Sequence, residues 1–146
     1  MHVHVVDIQF TSRSSQTSRV RYVERRGTLT EGADGFYLSF GDHLEEAGVV
    51  RYTIKFSSRE ALIRRRGMFP LTQTLALGVP LAGVCTTPLG ELRTQACLQT
   101  IVADWRPENG SGRAQIVYSL RVQEQPAGTF NLCFVFNETA DRQSGS

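Results

Sequence analysis

Three consecutive arginines, Arg64, Arg65 and Arg66, are the residues of this chain whose type and spacing best suit chemistry. A guanidinium is planar, permanently charged and forked, so it grips carboxylates and phosphates through paired hydrogen bonds. The run lies in Leu62-Ile63-Arg64-Arg65-Arg66-Gly67. On a strand, alternate residues face opposite sides. Arg64 and Arg66 then share a face with Leu62, and Arg65 shares the other with Ile63. In a small closed barrel one of those faces is the interior, where a charge needs an anionic or hydrogen-bonding partner. Either parity is open, since a one-residue register slip swaps them. The cations could anchor an anionic ligand. They could equally pair with Glu24, Glu91 or backbone carbonyls, or lie on the outer face.

Other candidates are weaker. Thr87-Pro88-Leu89-Gly90 reads as a rigid turn, with Pro88 presetting φ and Gly90 taking the conformation that follows. It lacks the length, lysine and helix of a phosphate-binding loop. Thr87 is still counted among the ligand contacts. His2 and His4 share a strand face as an H-x-H pair, and His43 is the one other histidine that could complete a metal site. The competing reading is a frayed first strand with exposed histidines, so no metal and no cofactor is expected. Cys97 sits mid-strand without a base, and Glu45-Glu46 read as a solvated loop, so no catalytic residue is assigned. The basic stretches Arg19 to Arg26 and Arg59 to Arg66 carry Tyr22 and end near Phe69. Basic residues interleaved with aromatics can bind single-stranded nucleic acid on a barrel face.

The elements that must position these residues are strands. The chain has 146 residues, 40% hydrophobic and 21% charged, which suits one soluble domain with a core. A net charge of +2 demands neither nucleic acid nor membrane as partner. Lys55 is the one lysine; a whole-chain arginine bias is not a site. The three cysteines, Cys85, Cys97 and Cys133, form no CxxC pair, which fits a reduced cytoplasmic protein. Met1 to Phe10 alternates like a strand and does not read as a signal peptide, and no apolar run is long enough to span a membrane as a helix.

Alternation runs through the chain. His2 to Phe10 reads as a strand with a parity switch, hence a bulge, near Val5-Val6; Thr11 to Ser18 reads as a loop. Val20 to Thr30 is a second strand, followed by a hairpin turn at Glu31 to Gly35 and the alternation of Phe36, Leu38 and Phe40. Gly41 to Gly48 reads as an acidic loop, with Asp42 to Ala47 as the one weak helix candidate. Val50, Tyr52, Ile54 and Phe56 form the cleanest half-buried strand. The arginine strand, Leu71 to Leu77 and Leu81 to Thr86 follow. Leu92 to Val102 is a long strand with Thr100 and Val102 on the face of Leu98. After a polar loop at Pro107 to Gly112, Ala114 to Val122 carries Tyr118 and Leu120. A turn at Gln125 to Gly128 leads to Phe130, Leu132, Phe134 and Phe136. About ten antiparallel segments joined by short turns describe an up-and-down barrel over residues 1–138, with a polar tail at 139–146. An open two-sheet sandwich is the alternative.

The order Leu62-Ile63-Arg64-Arg65-Arg66-Gly67, then Gly83, then Thr87-Pro88-Leu89-Gly90, resembles the YwiB-like family of bacterial proteins. Phe36-Tyr37-Leu38 and Tyr118-Ser119-Leu120 extend the likeness, which covers about Val20 to Glu138. Val84, Cys85 and Leu89 depart from it, standing where the family commonly has aromatics. The resemblance implies an all-β, calycin-like or lipocalin-like barrel of about eight to ten antiparallel strands, the architecture of small hydrophobic-ligand carriers. It implies no activity.

The expectation is therefore a cytoplasmic, non-catalytic barrel that binds a small amphipathic or anionic ligand. Tyr52, Ile54, Tyr118, Leu120 and Phe134 would line its cavity, and one of Arg64 to Arg66 would be the polar anchor. The alternative is a module that docks nucleic acid or protein on its arginine-rich outer face.

Overall fold

The computed structural model describes residues 2–45 and 48–139. They form ten strands: β1 (Val3–Ser14), β2 (Val20–Glu31), β3 (Gly35–Leu44), β4 (Gly48–Ser57), β5 (Glu60–Arg66), β6 (Leu71–Ala76), β7 (Pro80–Thr87), β8 (Gly90–Arg106), β9 (Ser111–Val122) and β10 (Gln125–Glu138). Each pairs antiparallel with the next, and β1 pairs with β10, so the sheet closes on itself. This is the expected all-β, antiparallel up-and-down barrel, and closure leaves no edge strand.

Alternation builds the interior. Val6, Ile8 and Phe10 of β1, Phe36, Leu38 and Phe40 of β3, and Ile54 and Phe56 of β4 are all buried. A ten-stranded barrel is wider than an eight-stranded one, and here aromatic rings fill the width. Phe56 meets Phe134 of β10 at 5.5 Å between centroids, and Phe36 meets Phe136 of β10, also at 5.5 Å. Neither pair lies on neighbouring strands, so opposite walls touch through their side chains. Phe10 stacks on Phe134 at 4.8 Å and tilts against Phe40 at 5.9 Å. Toward β6 to β8 the interior carries one polar cluster. Thr94 Oγ1 donates to Gln73 Oε1 (2.6 Å), and Gln73 Nε2 donates to the carbonyls of Thr74 and Leu81. A Cβ at Gly83 would collide with both side chains, which explains the glycine there.

Several boundaries differ from the sequence reading. β1 continues through Ser14 because its later residues pair with both Val20 to Tyr22 and Phe130 to Cys133. Its pairing is regular at Val5-Val6; Val3 and Val5 simply face outward. The expected acidic loop is strand as far as Leu44, and β4 begins at Gly48. The helix proposed over Asp42 to Ala47 is therefore absent at Asp42 to Leu44; Glu46 and Ala47 lie outside the described residues. The register of β8 against β9 shifts between Leu98 and Thr100. Beyond that bulge Thr100 and Val102 are exposed, while Ile101 and Trp105 pack on the core. The last hairpin turns at Gln123 and Glu124, both with positive φ (52° and 68°), and Gln125 already belongs to β10. Thr139 is buried, its N–H donating to Val5 O at 3.1 Å; the rest of the expected tail lies outside the described residues.

Candidate functional site

The strand pairings divide the barrel into two ends. One holds the turns that follow β1, β3, β5, β7 and β9, and the arginine strand finishes there. The register of β5 resolves its parity: Ala61 and Ile63 are buried, and Arg65 follows them inward. Arg64 and Arg66 point out and are exposed, with no ion-pair partner among the described residues. Arg65 meets a backbone carbonyl, not Glu24 or Glu91. Its Nε and Nη2 donate to Phe69 O at 3.1 and 2.9 Å, and Nη2 lies 3.9 Å from Cys85 Sγ. Nη1 has no partner among the described residues.

Tyr52 is directly opposite Arg65 across β4 and β5, and Leu71 is opposite it across β5 and β6. The Tyr52 ring stacks on Phe40 at 5.4 Å. From the far wall, Tyr118 stacks on Phe130 at 5.5 Å. Burial raises Tyr118 far above an ordinary phenol, and the nearby Tyr52 phenol raises it further. Neither hydroxyl has a hydrogen-bond partner among the described residues, an unusual state for a tyrosine set this deep. Trp105 Nε1, at the other end of the barrel, is the one fully buried, unpartnered side-chain polar atom among the described residues, so both hydroxyls keep some exposure. Arg65 and Tyr52 are thus neighbours on one wall at this end, and Tyr118 lies close enough for the Tyr52 phenol to act on it.

An ion-pair cluster at this end, centred on Asp42, escaped the sequence reading. Asp42 has a fully buried side chain (0% exposed), gripped by Arg21 Nη2 at 2.6 Å and Arg25 Nη2 at 2.9 Å. Burial alone would raise its pKa. The hydrogen bonds from Arg21, the His43 backbone N–H and Arg25 outweigh that and hold it below the usual carboxylate range. The signal was present: Asp42 continues the parity of Phe36, Leu38 and Phe40, and Arg21 and Arg25 share that of Val23. Ending β3 at Phe40 hid it.

The remaining candidates separate. Thr87 is on the rim, but its hydroxyl donates to Gly90 O (2.9 Å) and accepts from Leu89 N–H (3.2 Å), so it closes its own turn. Ile54 and Phe134 belong to the packed layer below, and Leu120 is half-buried. Rings pack around the expected cavity lining: Phe40 on Tyr52, Phe130 on Tyr118, and Phe56 against Phe134. Two open clefts lie elsewhere. One of about 1010 Å³ runs past Arg93, Gln95, Arg121 and Gln125; one of about 790 Å³ opens beside His2, His4 and Glu138. Cys97 faces outward, opposite Pro80 and Ser119, while Cys85 faces in.

At the other end His4 is half-buried, not frayed. Its Nε2 is 2.8 Å from Glu31, its Nδ1 is 3.7 Å from Glu138, and its ring packs on Trp105 at 5.1 Å. His43 lies at the opposite end of the barrel, and no cluster able to hold a metal occurs among the described residues.

Comparison with known proteins adds a fold and a family. The crystal structure of the YwiB protein from Bacillus subtilis is similar, with a TM-score of 0.75 at 18% identity, over 94% of this chain and 92% of that one. No curated protein matches the chain in sequence. The model of a domain of unknown function, DUF1934, matches residues 5–134. Barrel, motif order and family match agree, and the chain belongs to this YwiB-like DUF1934 family.

Proposed function

We propose that this protein binds a small amphipathic anion at the mouth of its barrel, without catalysing its conversion. The observation that carries the reading is the pair of unpartnered hydroxyls, Tyr52 and Tyr118, beside the inward guanidinium of Arg65. A carboxylate or phosphate supplies acceptors for all three donors. The half-buried Leu71 and Leu120 would take its apolar part. The interior below is filled, so the ligand is held at the opening, not swallowed as in a wide calycin-like carrier. The likeness to a Bacillus subtilis protein supports a bacterial setting, and the three free cysteines suit a reducing cytoplasm.

Calorimetric titration with decyl phosphate and with uncharged decanol tests the reading. Binding of the phosphate alone is expected, with at least a tenfold loss in Arg65→Met, the size of one charge-assisted hydrogen bond. Equal affinity for both compounds, or an unchanged Arg65→Met, overturns it.

A further inference from the structure

The large apolar side chains that stand most exposed among the described residues are Leu89, at 97%, Val49, at 78%, and Met68, at 70%. All three are at the end that holds Arg65, on three successive hairpins: β3–β4, β5–β6 and β7–β8. The hairpins are tied together. A Cβ on Gly67 would come within 3.0 Å of Val49 O, and Thr86 N–H donates to Pro70 O at 2.9 Å. The tips therefore form one arc, not scattered residues of the kind any surface carries. Behind the arc, on the outer wall, Arg51 is directly opposite Arg66 across β4 and β5, with Arg64 two residues further along. None of these three arginines has an ion-pair partner among the described residues. Glu45 and Glu91 are the exposed acids nearby.

Apolar tips that protrude beyond a band of cations suit a bilayer interface. The tips enter the boundary between headgroups and acyl chains, and the cations meet anionic headgroups. We infer that the mouth end of the barrel docks on an anionic lipid surface through Val49, Met68 and Leu89, with Arg51, Arg64 and Arg66 facing the headgroups. The inference extends the mouth reading by naming where its amphipathic anion is met: Arg65 and the two tyrosines then open toward the lipid. A run long enough to span the bilayer is not needed for this, and no helix among the described residues is long and apolar enough to cross one. A nucleic acid would use the same cations but would gain nothing from an aliphatic arc, because its bases stack on aromatic rings.

The test is flotation of the full chain with vesicles of phosphatidylcholine alone and of phosphatidylcholine with phosphatidylglycerol. The protein is expected to float with the anionic vesicles. Met68→Ser/Leu89→Ser should abolish flotation, while Val3→Ser, exposed at the opposite end, should leave it intact. Each arginine among Arg51, Arg64 and Arg66 replaced by glutamine should weaken binding about fivefold. All replaced side chains are exposed, and thermal melts check that the variants fold. Absence of flotation, flotation indifferent to Met68→Ser/Leu89→Ser, or preference for a single-stranded oligonucleotide overturns the inference. The two readings fail separately. Decyl phosphate binding without vesicle binding leaves the mouth and removes the docking surface. Vesicle binding without decyl phosphate binding does the reverse.

Discussion

At the end of the barrel where β1 begins, His4 lies against Glu31, Glu138 and Trp105, and Phe36, Phe56 and Phe136 close the space beneath. At the other end, the interior finishes in Tyr52, Tyr118 and Arg65, whose hydroxyls and Nη1 meet no acceptor among the described residues. The first end ties His4 to Glu31 and Glu138, although Trp105 Nε1 has no partner among the described residues and a cleft of about 790 Å³ opens beside His2 and His4. The second satisfies one cluster, Arg21-Asp42-Arg25, and leaves another waiting. Buried or half-buried donors without partners reduce stability, so an end that keeps them spends stability for something other than the fold. On the proposed reading, that contrast separates a structural end from a binding one.

The largest effect should come from the layer both ends rest on. Phe134→Ala removes a ring that touches Phe10, Phe40 and Phe56. Chemical denaturation should show a loss of about 3–5 kcal/mol. A loss under 1 kcal/mol would mean that the layer is loosely packed and a cavity is available after all. Next is the satisfied cluster. Asp42→Asn leaves two guanidiniums without their anion and should cost about 2–3 kcal/mol. That is less than a fully buried pair, because both arginines remain more than a third exposed. Its pH dependence follows from the lowered pKa. The contribution is complete above the unfolded carboxylate value of about 4, and it is lost as pH falls through the lower folded value. The wild type should lose stability over that acid range more steeply than Asp42→Asn; parallel curves would remove Asp42 from the account. The smallest change in stability should be at the waiting cluster. Tyr118→Phe deletes a hydroxyl with no partner among the described residues and should alter stability by less than about 0.5 kcal/mol while weakening decyl phosphate binding. A large destabilisation would show that the hydroxyl is structural, and the two ends would then differ less than they do here.

Much of the barrel was legible because Val50 to Phe56, Ala114 to Val122 and Phe130 to Phe136 alternate without interruption. The errors have local causes. Polar Ser12 pairs on both sides and Ser14 pairs with Phe130 as strand, where composition suggested a loop. Gln123 and Glu124 take positive φ without glycine or asparagine to announce the turn. The site was half legible. Alternation reduced the arginine run to two parities, and the neighbouring strands chose one. Asp42 was missed because a charged residue was read as loop when strand pairing carried it inward. Of the three departures from the family pattern, Val84 and Leu89 are exposed, so Cys85 alone alters the interior.

The shift in β8 carries a genetic consequence. Gln99 is the extra residue between Leu98 and Thr100 in the register with β9, and it is exposed. Its side chain meets no special demand, so most codons should serve at that position. Its presence is nearly as free. Removing those three nucleotides would leave Leu98, Thr100 and Ile101 opposite Tyr118, Val117 and Ile116 in an unbroken ladder, with Ile101 and Trp105 still on the inner face. Losing the codon for Val102 instead would turn Trp105 out to solvent, so the reading of spacing begins just beyond the bulge.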